Sequence, residues 1–215
     1  LVHEPGEPCR GGAHLGGGGE DRGACHRGGI YILRMPFDPA VTFLARSRYY
    51  LGLEYPGKIR LALTAMPENR LWHRPNVSSN SAGNLVLHLA GNVRQWIVSG
   101  VGGAPDVRAR DAEFAARDGD SRAGLLAHLE RACADAVAVL DRLDPAALGE
   151  ARHIQGRETN VMAAIYHVVE HFSTHTGQLI LLAKASAPDG AIRFYDDTGG
   201  LARPLFLPPG VSDAP

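Results

Sequence analysis

Four polar residues recur at helical spacing within a strongly apolar stretch near the carboxyl end of the sequence. They are His167, His171, His175 and Gln178, at positions i, i+4, i+8 and i+11. At about 100° per residue they fall within roughly 80° of one another on a helix. The helix is otherwise apolar nearly all the way round, which is typical of a buried helix. Unpaired buried imidazoles would cost about 1–3 kcal/mol each, so we expect a partner or a bound ion to satisfy them.

A second apolar segment carries one more histidine. His88 lies among leucines and valines in NLVLHLAGNVRQWIV, with an asparagine one turn away on either side. Two histidines four residues apart on a helix can chelate one ion, because their side chains lie one above the other. A third histidine from a neighbouring helix would complete a three-nitrogen set and leave positions open for water or substrate. The sequence therefore predicts a divalent metal site. Spacing alone leaves open whether His167 or His175 pairs with His171.

Other notable side chains fit structural roles. If His167 is not a ligand, we expect it to make a hydrogen bond beside the ion or to be partly exposed. Cys133 lies on the apolar face of a predicted helix, and packing explains it better than ligation. We expect Trp96 and Phe172 to be core residues. The three cysteines form neither a paired CxxC nor an even set, so we interpret them as reduced thiols.

Four long helices are expected to position these residues. Apolar residues recur at helical spacing over residues 39–66, 81–101, 121–143 and 159–184. Asp38, Ser81 and Ser121 are suitable caps for the first three helices. Pro56-Gly57 should kink or break the first helix. Since no clear strand run is present, the predicted fold class is an all-α four-helix bundle.

The two ends of the chain differ from this pattern. Residues 1–34 are dense in glycine and offer little apolar surface to bury, so we expect a disordered leader, or a misassigned start before Met35. The bundle is expected over residues 35–200. Residues 201–215 are predicted to be an irregular tail, and Phe194 and Tyr195 just before it are candidates for a short apolar contact.

Composition excludes several classes of partner. The chain has 22 Lys+Arg and 23 Asp+Glu, so it offers no basic footprint for nucleic acid or anionic lipid. The apolar runs around His88 and His167 are too short and too interrupted to span a bilayer. Residues 1–34 contain no apolar core of a signal peptide, so we expect a cytoplasmic protein. The expected partner is a small molecule.

The two segments that contain the histidines resemble the DinB/YfiT-like superfamily of bacterial four-helix-bundle metalloproteins. Residues 80–97, NSAGNLVLHLAGNVRQWI, and residues 164–180, AIYHVVEHFSTHTGQLI, carry the resemblance. EYPGKIR and RARDAEF give weaker support, and the likeness covers about residues 36–197. It implies that His88, His171 and His175 bind the ion, with Gln178 closing the motif. Pro56, which follows Glu54-Tyr55, is a departure from the family pattern, because the resemblance leads us to expect a bulkier residue at that position.

The resemblance also implies a class of chemistry. Many members are thiol-dependent transferases or isomerases that use mycothiol, bacillithiol or glutathione; others are stress- or damage-induced proteins. Zinc is the expected ion, and nickel or iron also suit three imidazoles. The alternatives are a metal-dependent hydrolase of small molecules and a non-catalytic metal-binding protein. Glu170 adjoins His171 but points about 100° away, so no evident base supports hydrolysis.

The positions of two further residues on the predicted second helix indicate their roles. Asn92 lies one turn beyond His88 and is expected, with Gln178, to contact a bound thiol. Arg94 points to another side and is expected to form an ion pair at the edge of the bundle. Catalytic residues remain unassigned from the sequence. A homodimer is also predicted, because related bundles often pair.

Overall fold

The computed structural model describes residues 38–200 and 202–211; the predicted leader, residues 1–34, lies outside the described residues. Helices dominate this part of the chain. They are α1 (Pro39–Tyr49), α2 (Tyr55–Ala65), α3 (Ala82–Val93), α4 (Arg110–Ala115), α5 (Arg122–Arg142) and α6 (Val161–Lys184). A π-helical segment, Tyr50–Glu54, joins α1 to α2, and a second, Arg94–Ser99, extends α3. Short 3-10 turns lie at Glu68–Arg70 and Pro145–Gly149.

Four helical rods pack around one apolar core, which confirms the predicted all-α bundle. The rods are α1–α2, α3 with its π-helical extension, α5 and α6. Helix α3 packs against both α5 and α6, and α2 packs against α6. Phe172, Trp96 and Cys133 are buried in this core, as expected. Each fully buried large apolar side chain contributes about 1.5–3 kcal/mol to folding.

The predicted helix starts are confirmed to within two residues. Ser81 caps α3 through a capping box, in which its Oγ accepts a hydrogen bond from the backbone N–H of Asn84. The Asn84 Oδ1 accepts in return from the backbone N–H of Ser81. Ser121 caps α5, and α6 begins at Val161 behind Asn160, two residues later than predicted. These caps satisfy N–H groups that the helix itself leaves unpaired.

The sequence predicted a kink or a break at Pro56-Gly57; the helix does not break there, and its irregularity is a π-helical segment directly before Pro56. Helix α1 runs through the π-helical segment Tyr50–Glu54 directly into α2, with Pro56 in the first turn of α2. A π-helical turn is wider than an α-helical turn, which accommodates the proline ring and its missing N–H. Gly57 has a different role. A Cβ there would overlap the carbonyl oxygen of Phe206, so the glycine lets the chain near its carboxyl end lie against α2.

Two short hairpins were not predicted. Strands β1 (Ala151–Ile154) and β2 (Arg157–Asn160) pair antiparallel just before α6. Gln155 (φ 53°) and Gly156 (φ 71°) connect them, and positive φ at both central residues is typical of a type I′ turn. Strands β3 (Tyr195–Asp196) and β4 (Arg203–Pro204) form the second pair.

The expected Phe194 and Tyr195 both contribute to the apolar contact beyond α6, and Phe206 and Leu207 join them. Phe206 and Leu207 are buried against Tyr49, and Phe194 packs against the same cluster. Tyr195 is 45% exposed and contacts the ring of Phe206 by its edge. The apolar contact therefore comes mainly from the last described residues.

Helix α6 is less buried than its composition indicates. Its outer face exposes Met162, Tyr166 and Leu181, while its inner face carries the core residues and the histidines. None of the helices in the described ranges combines the length and apolar character needed to cross a bilayer.

Candidate metal centre

The histidines meet where α3 packs against α6. His88 is 5% exposed in the middle of α3, and His171 and His175 are partly buried on α6. Asn92, one turn further along α3, faces His167, one turn back along α6. The two helices therefore run antiparallel at this contact, and one polar row on each helix faces the other.

Three imidazoles converge at the centre of this contact. His88 Nε2 lies 3.0 Å from His171 Nε2, and the ring centroids of His171 and His175 are 4.4 Å apart. One nitrogen from each of His88, His171 and His175 lies within 4.8 Å of the others, so these three could hold a metal ion. The spacing left the choice of pair open, and the fold brings His171 and His175, rather than His167, to His88.

Hydrogen bonds on the outer nitrogens orient two of the rings. His88 Nδ1 lies 2.9 Å from Glu113 Oε2, and His175 Nδ1 lies 2.7 Å from Gln178 Oε1. Arg108 Nη2, a donor, also lies 3.1 Å from His88 Nδ1, but the Glu113 carboxylate is the closer partner. Protons on both Nδ1 atoms satisfy the acceptors Glu113 Oε2 and Gln178 Oε1 and leave a lone pair on both Nε2 atoms. Metal-binding histidines are characteristically held in this way.

Glu113 belongs to a buried charge cluster with Arg108. The Arg108 guanidinium donates to Glu113 Oε1 from Nε at 2.7 Å and to Oε2 from Nη2 at 2.8 Å. Burial alone would raise the pKa of Glu113, but hydrogen bonds from Arg108 and His88 hold it below its ordinary value. The carboxylate is therefore ionised at neutral pH. Gly91 makes room for it, because a Cβ there would overlap Glu113 Oε1.

The imidazoles on α6 are electrically neutral at physiological pH. Burial is the largest cause that lowers the pKa of His171 to about 3, and neighbouring imidazoles and Arg108 lower it further. Burial also holds the pKa of His167 and His175 below the ordinary 6.5. Neutral imidazole is the form that binds metal ions.

The residues present fit a divalent ion. Two nitrogens at 2.0–2.1 Å from a tetrahedral ion are separated by about 3.3 Å, close to the 3.0 Å between His88 Nε2 and His171 Nε2. The Nδ1 of His171 is buried without a hydrogen-bond partner among the described residues, so hydrogen bonding alone does not account for this ring. Three neutral nitrogens, two of them pre-oriented, form a suitable donor set.

The other residues singled out in the sequence fall in varied places. Gln178 contacts His175, and Asn92 Nδ2 lies 3.4 Å from His167 Nε2. Arg94 pairs with Asp135 at 2.6 Å, which confirms the predicted ion pair at the bundle edge. Glu170 is exposed and lies off the histidine row, as predicted.

Glu113 and Arg108 are the residues that sequence reasoning missed. They lie in RARDAEF, which the resemblance included but to which no role was given. No periodicity marks the segment, because α4 is only six residues long and Glu113 is its single buried residue. The resemblance carried by RARDAEF was the signal that the sequence offered, because the burial of Glu113 and its contact with Arg108 appear only in the structure.

Solved structures of similar fold show which class of protein this fold belongs to. A DinB-like protein (YjoA) from Bacillus subtilis matches with a TM-score of 0.50 and 17% identity, covering 67% of this chain and 90% of that one. A DinB-like protein from Bacillus cereus ATCC 10987 matches with a TM-score of 0.53 and 16% identity, covering 66% and 89%. The chain therefore has a DinB-like fold, and its likeness to the DinB/YfiT-like superfamily is confirmed at that level.

The family can be stated more narrowly. Residues 46–190 match the family described as "Protein of unknown function (DUF1572)", and the chain belongs to that family. None of the curated proteins matches the chain.

Proposed function

We propose that this protein binds one divalent metal ion through the Nε2 atoms of His88, His171 and His175. We further propose that it is a metal-dependent thiol S-transferase or isomerase that acts on a small electrophile. The observation that carries the first step is the convergence of these three imidazoles. The hydrogen bonds of Glu113 and Gln178 to the outer nitrogens support it.

Zinc is the ion we propose, with nickel and iron as alternatives. Three imidazole nitrogens suit all three metals, and zinc sites with three protein ligands characteristically keep a position for substrate. Such an ion, held by neutral ligands, keeps its charge and lowers the pKa of a thiol or water that binds to it.

The charged residues around the histidines favour thiol chemistry over hydrolysis. A general base must reach the reacting proton and bind it readily. Glu113 contacts Nδ1 of His88, whereas the other ring nitrogen of His88 faces His171, and hydrogen bonds from Arg108 and His88 hold the pKa of Glu113 below its ordinary value. Glu170 is exposed on α6, off the row of histidines. A thiol, once its pKa is lowered, is itself the nucleophile and does not need such a base.

The surroundings also offer room for a co-substrate. His171 and His175 are only partly buried, so a small molecule can approach them. Gln178, which contacts His175, also lines a cavity of about 380 Å³ with Ser79 and Leu85. We propose that Gln178 on one side and Asn92 on the other contact the thiol molecule.

Metal analysis followed by thiol titration tests both steps. Protein purified without chelator should contain about one ion per chain, and His171→Ala should contain none. Calorimetric titration of the loaded protein with glutathione, bacillithiol and mycothiol should show binding of at least one, absent in His171→Ala. Absence of metal would overturn the site. Metal without thiol binding would overturn thiol activation and leave the hydrolase or the non-catalytic role.

A further inference from the structure

A second group of polar side chains lies beside the three histidines, one turn further along the α3–α6 contact. Asn92 and Trp96 come from α3 and its π-helical extension, and His167 comes from α6. Asn92 Nδ2 lies 3.4 Å from His167 Nε2, and the ring centroids of Trp96 and His167 are 4.2 Å apart. Asn92 is 3% exposed and Trp96 is 5% exposed. We call this group the Asn92–Trp96 subsite.

Three buried polar atoms without partners lie at or beside this subsite: Asn92 Oδ1, Trp96 Nε1 and His171 Nδ1. The other three such atoms among the described residues are at Arg74, Arg122 and Thr176. Contacts link these side chains, because His167 touches Asn92 and Trp96 and its ring centroid is 5.6 Å from that of His171. Buried polar groups in native proteins are normally paired, so a cluster of unpaired ones indicates a binding position for a ligand or a water.

The π-helical segment Arg94–Ser99 keeps Trp96 in this group. In a regular α-helix, four residues turn the chain about 400°, so each i+4 step drifts about 40° around the axis. Two such steps from His88 would carry Trp96 away from α6. The wider π-helical turn reverses part of this drift, and Trp96 remains over His167. Segments of this kind occur frequently at functional sites.

The unpaired atoms are of complementary kinds. Asn92 Oδ1 can only accept a hydrogen bond, whereas Trp96 Nε1 can only donate one. A carboxylate would satisfy Trp96 but would be repelled by the Asn92 oxygen. An amide presents an acceptor and a donor in one planar unit, and it carries no charge that burial would penalise.

We propose that the Asn92–Trp96 subsite binds an amide group of a small-molecule ligand. The ligand carbonyl accepts from Trp96 Nε1–H, and the ligand N–H donates to Asn92 Oδ1. If the proposed function holds, this group is the peptide-like amide of the thiol co-substrate, and thiols without an amide are poorer substrates. That last step rests on the proposed function; the binding itself does not.

Nuclear magnetic resonance of the two tryptophan side chains tests the subsite directly. The chain has two tryptophans, and the indole N–H of the other, Trp72, already donates to the Asp120 carbonyl at 3.1 Å. In ¹⁵N-labelled full-length protein, N-methylacetamide should shift the Trp96 indole signal saturably and leave that of Trp72 in place. Trp96→Phe assigns the signals.

Methyl acetate is the matched probe, because it keeps the carbonyl and lacks the N–H. Only the amide can donate a hydrogen bond to Asn92 Oδ1. Because one neutral hydrogen bond separates the two probes, we expect the amide to bind about threefold to tenfold more tightly than the ester. Asn92→Leu should bring the two affinities together. A Trp96 signal that N-methylacetamide does not shift would overturn the proposal. So would equal affinities in the unmodified protein, or a preference retained in Asn92→Leu.

Water is the competing occupant. A cross-relaxation signal between the Trp96 N–H and water that persists at saturating amide would show an ordered water only, and would overturn the proposal. If Asn92→Leu fails to fold, the amide–ester comparison on the unmodified protein decides. Neither probe contains a thiol and no metal is added, so failure of thiol activation and failure of the subsite are separate results.

Discussion

His88 Nδ1 on α3 and Glu113 Oε2 on α4 lie 2.9 Å apart, across 25 residues of sequence. This hydrogen bond connects the short helix α4 to the row of histidines. Arg108 donates to both oxygens of the same carboxylate, so the position of one imidazole depends on a loop and a helix that contribute none of the three histidines. Several consequences of this arrangement can be measured.

Loss of any one of three histidines should abolish stoichiometric metal binding. His88→Ala, His171→Ala and His175→Ala each remove one nitrogen of a set to which the described residues contribute three. Metal content by elemental analysis and zinc affinity by calorimetry measure the effect. His167→Ala is the matched control and should retain the ion, because His167 contacts Asn92 and Trp96 instead. Tight metal binding in any of the first three variants would refute the site.

Replacing Glu113 with glutamine should weaken metal binding without removing a ligand. Loss of partners that orient metal-binding histidines typically costs 10–100-fold in affinity, and we expect a loss of about that size for Glu113→Gln. The change also leaves Arg108 buried without its countercharge, so stability should fall by about 3–5 kcal/mol. Zinc affinity is therefore measured at a temperature where the variant is folded.

Arg94→Ala serves as the control for Glu113→Gln. It breaks the Arg94–Asp135 ion pair, which is about half exposed at each partner and contributes little to stability. Both stability and metal affinity should stay nearly unchanged. A Glu113→Gln protein with wild-type metal affinity would show that the hydrogen bond to His88 does not tune the site.

Gly91→Ala on α3, which faces the Glu113 carboxylate, should reproduce much of the effect of Glu113→Gln on metal binding and stability. A Cβ at residue 91 would overlap Glu113 Oε1 and lie 2.9 Å from Glu113 Cδ, which forces the carboxylate away from α3. We expect weaker metal binding and a lower melting temperature. Gly177→Ala on α6 is the control, since its Cβ would meet nothing within 4 Å. Because alanine favours helix, Gly177→Ala should be neutral or stabilising by up to about 1 kcal/mol.

The sequence was sufficient to predict the helices and the histidine row. Ser81 and Ser121 mark their helix starts by local chemistry, because a cap acts on backbone groups only three residues away. His88 and His171 are conspicuous because imidazoles are rare in such apolar surroundings. These features are local, so periodicity and composition reveal them.

The parts that were missed depend on contacts between distant segments. The π-helical segment Arg94–Ser99 keeps Trp96 in contact with His167 on α6, a contact between distant segments that no local pattern shows. Glu113 gains its role only when α4 folds onto α3. The Gln155–Gly156 turn was a partial signal, but asparagine, rather than glutamine, is the usual residue before glycine in such a turn.

The outer face of α6 should mediate a homodimer. Tyr166 is 63% exposed and Leu181 is 69% exposed, and burial of such surface between two copies would stabilise their association. Light scattering at micromolar concentration should give twice the chain mass. Tyr166→Glu and Leu181→Glu should each shift the protein to a monomer, whereas Val41→Glu, on exposed α1 surface, should not. A monomeric unmodified protein would exclude the dimer.

The thiol of Cys133 should be chemically inert in the folded protein. Burial raises its pKa from the ordinary 9.0 to about 12, and the charge of Glu130 adds to the effect. At pH 8 the thiolate, which is the reactive form, is therefore scarce, and the sulfur is also shielded on the α5 side of the core. In a Cys9→Ser/Cys25→Ser protein, a disulfide reagent should label nothing until guanidinium unfolds the chain, after which it should label one thiol. Rapid labelling of the folded protein would contradict the packing role.

The same raised pKa predicts how stability changes at high pH. The protonated thiol is favoured in the folded state, so its contribution is fully present below the unfolded pKa near 9 and is lost as pH rises towards 12. Within this window the free energy of unfolding should fall by up to about 1.4 kcal/mol per pH unit more than in Cys133→Ala. Denaturant titrations of both proteins between pH 8 and 11 measure the difference, in which the other titrating groups cancel. Parallel curves for the two proteins would show that Cys133 ionises as readily in the folded chain as in the unfolded one.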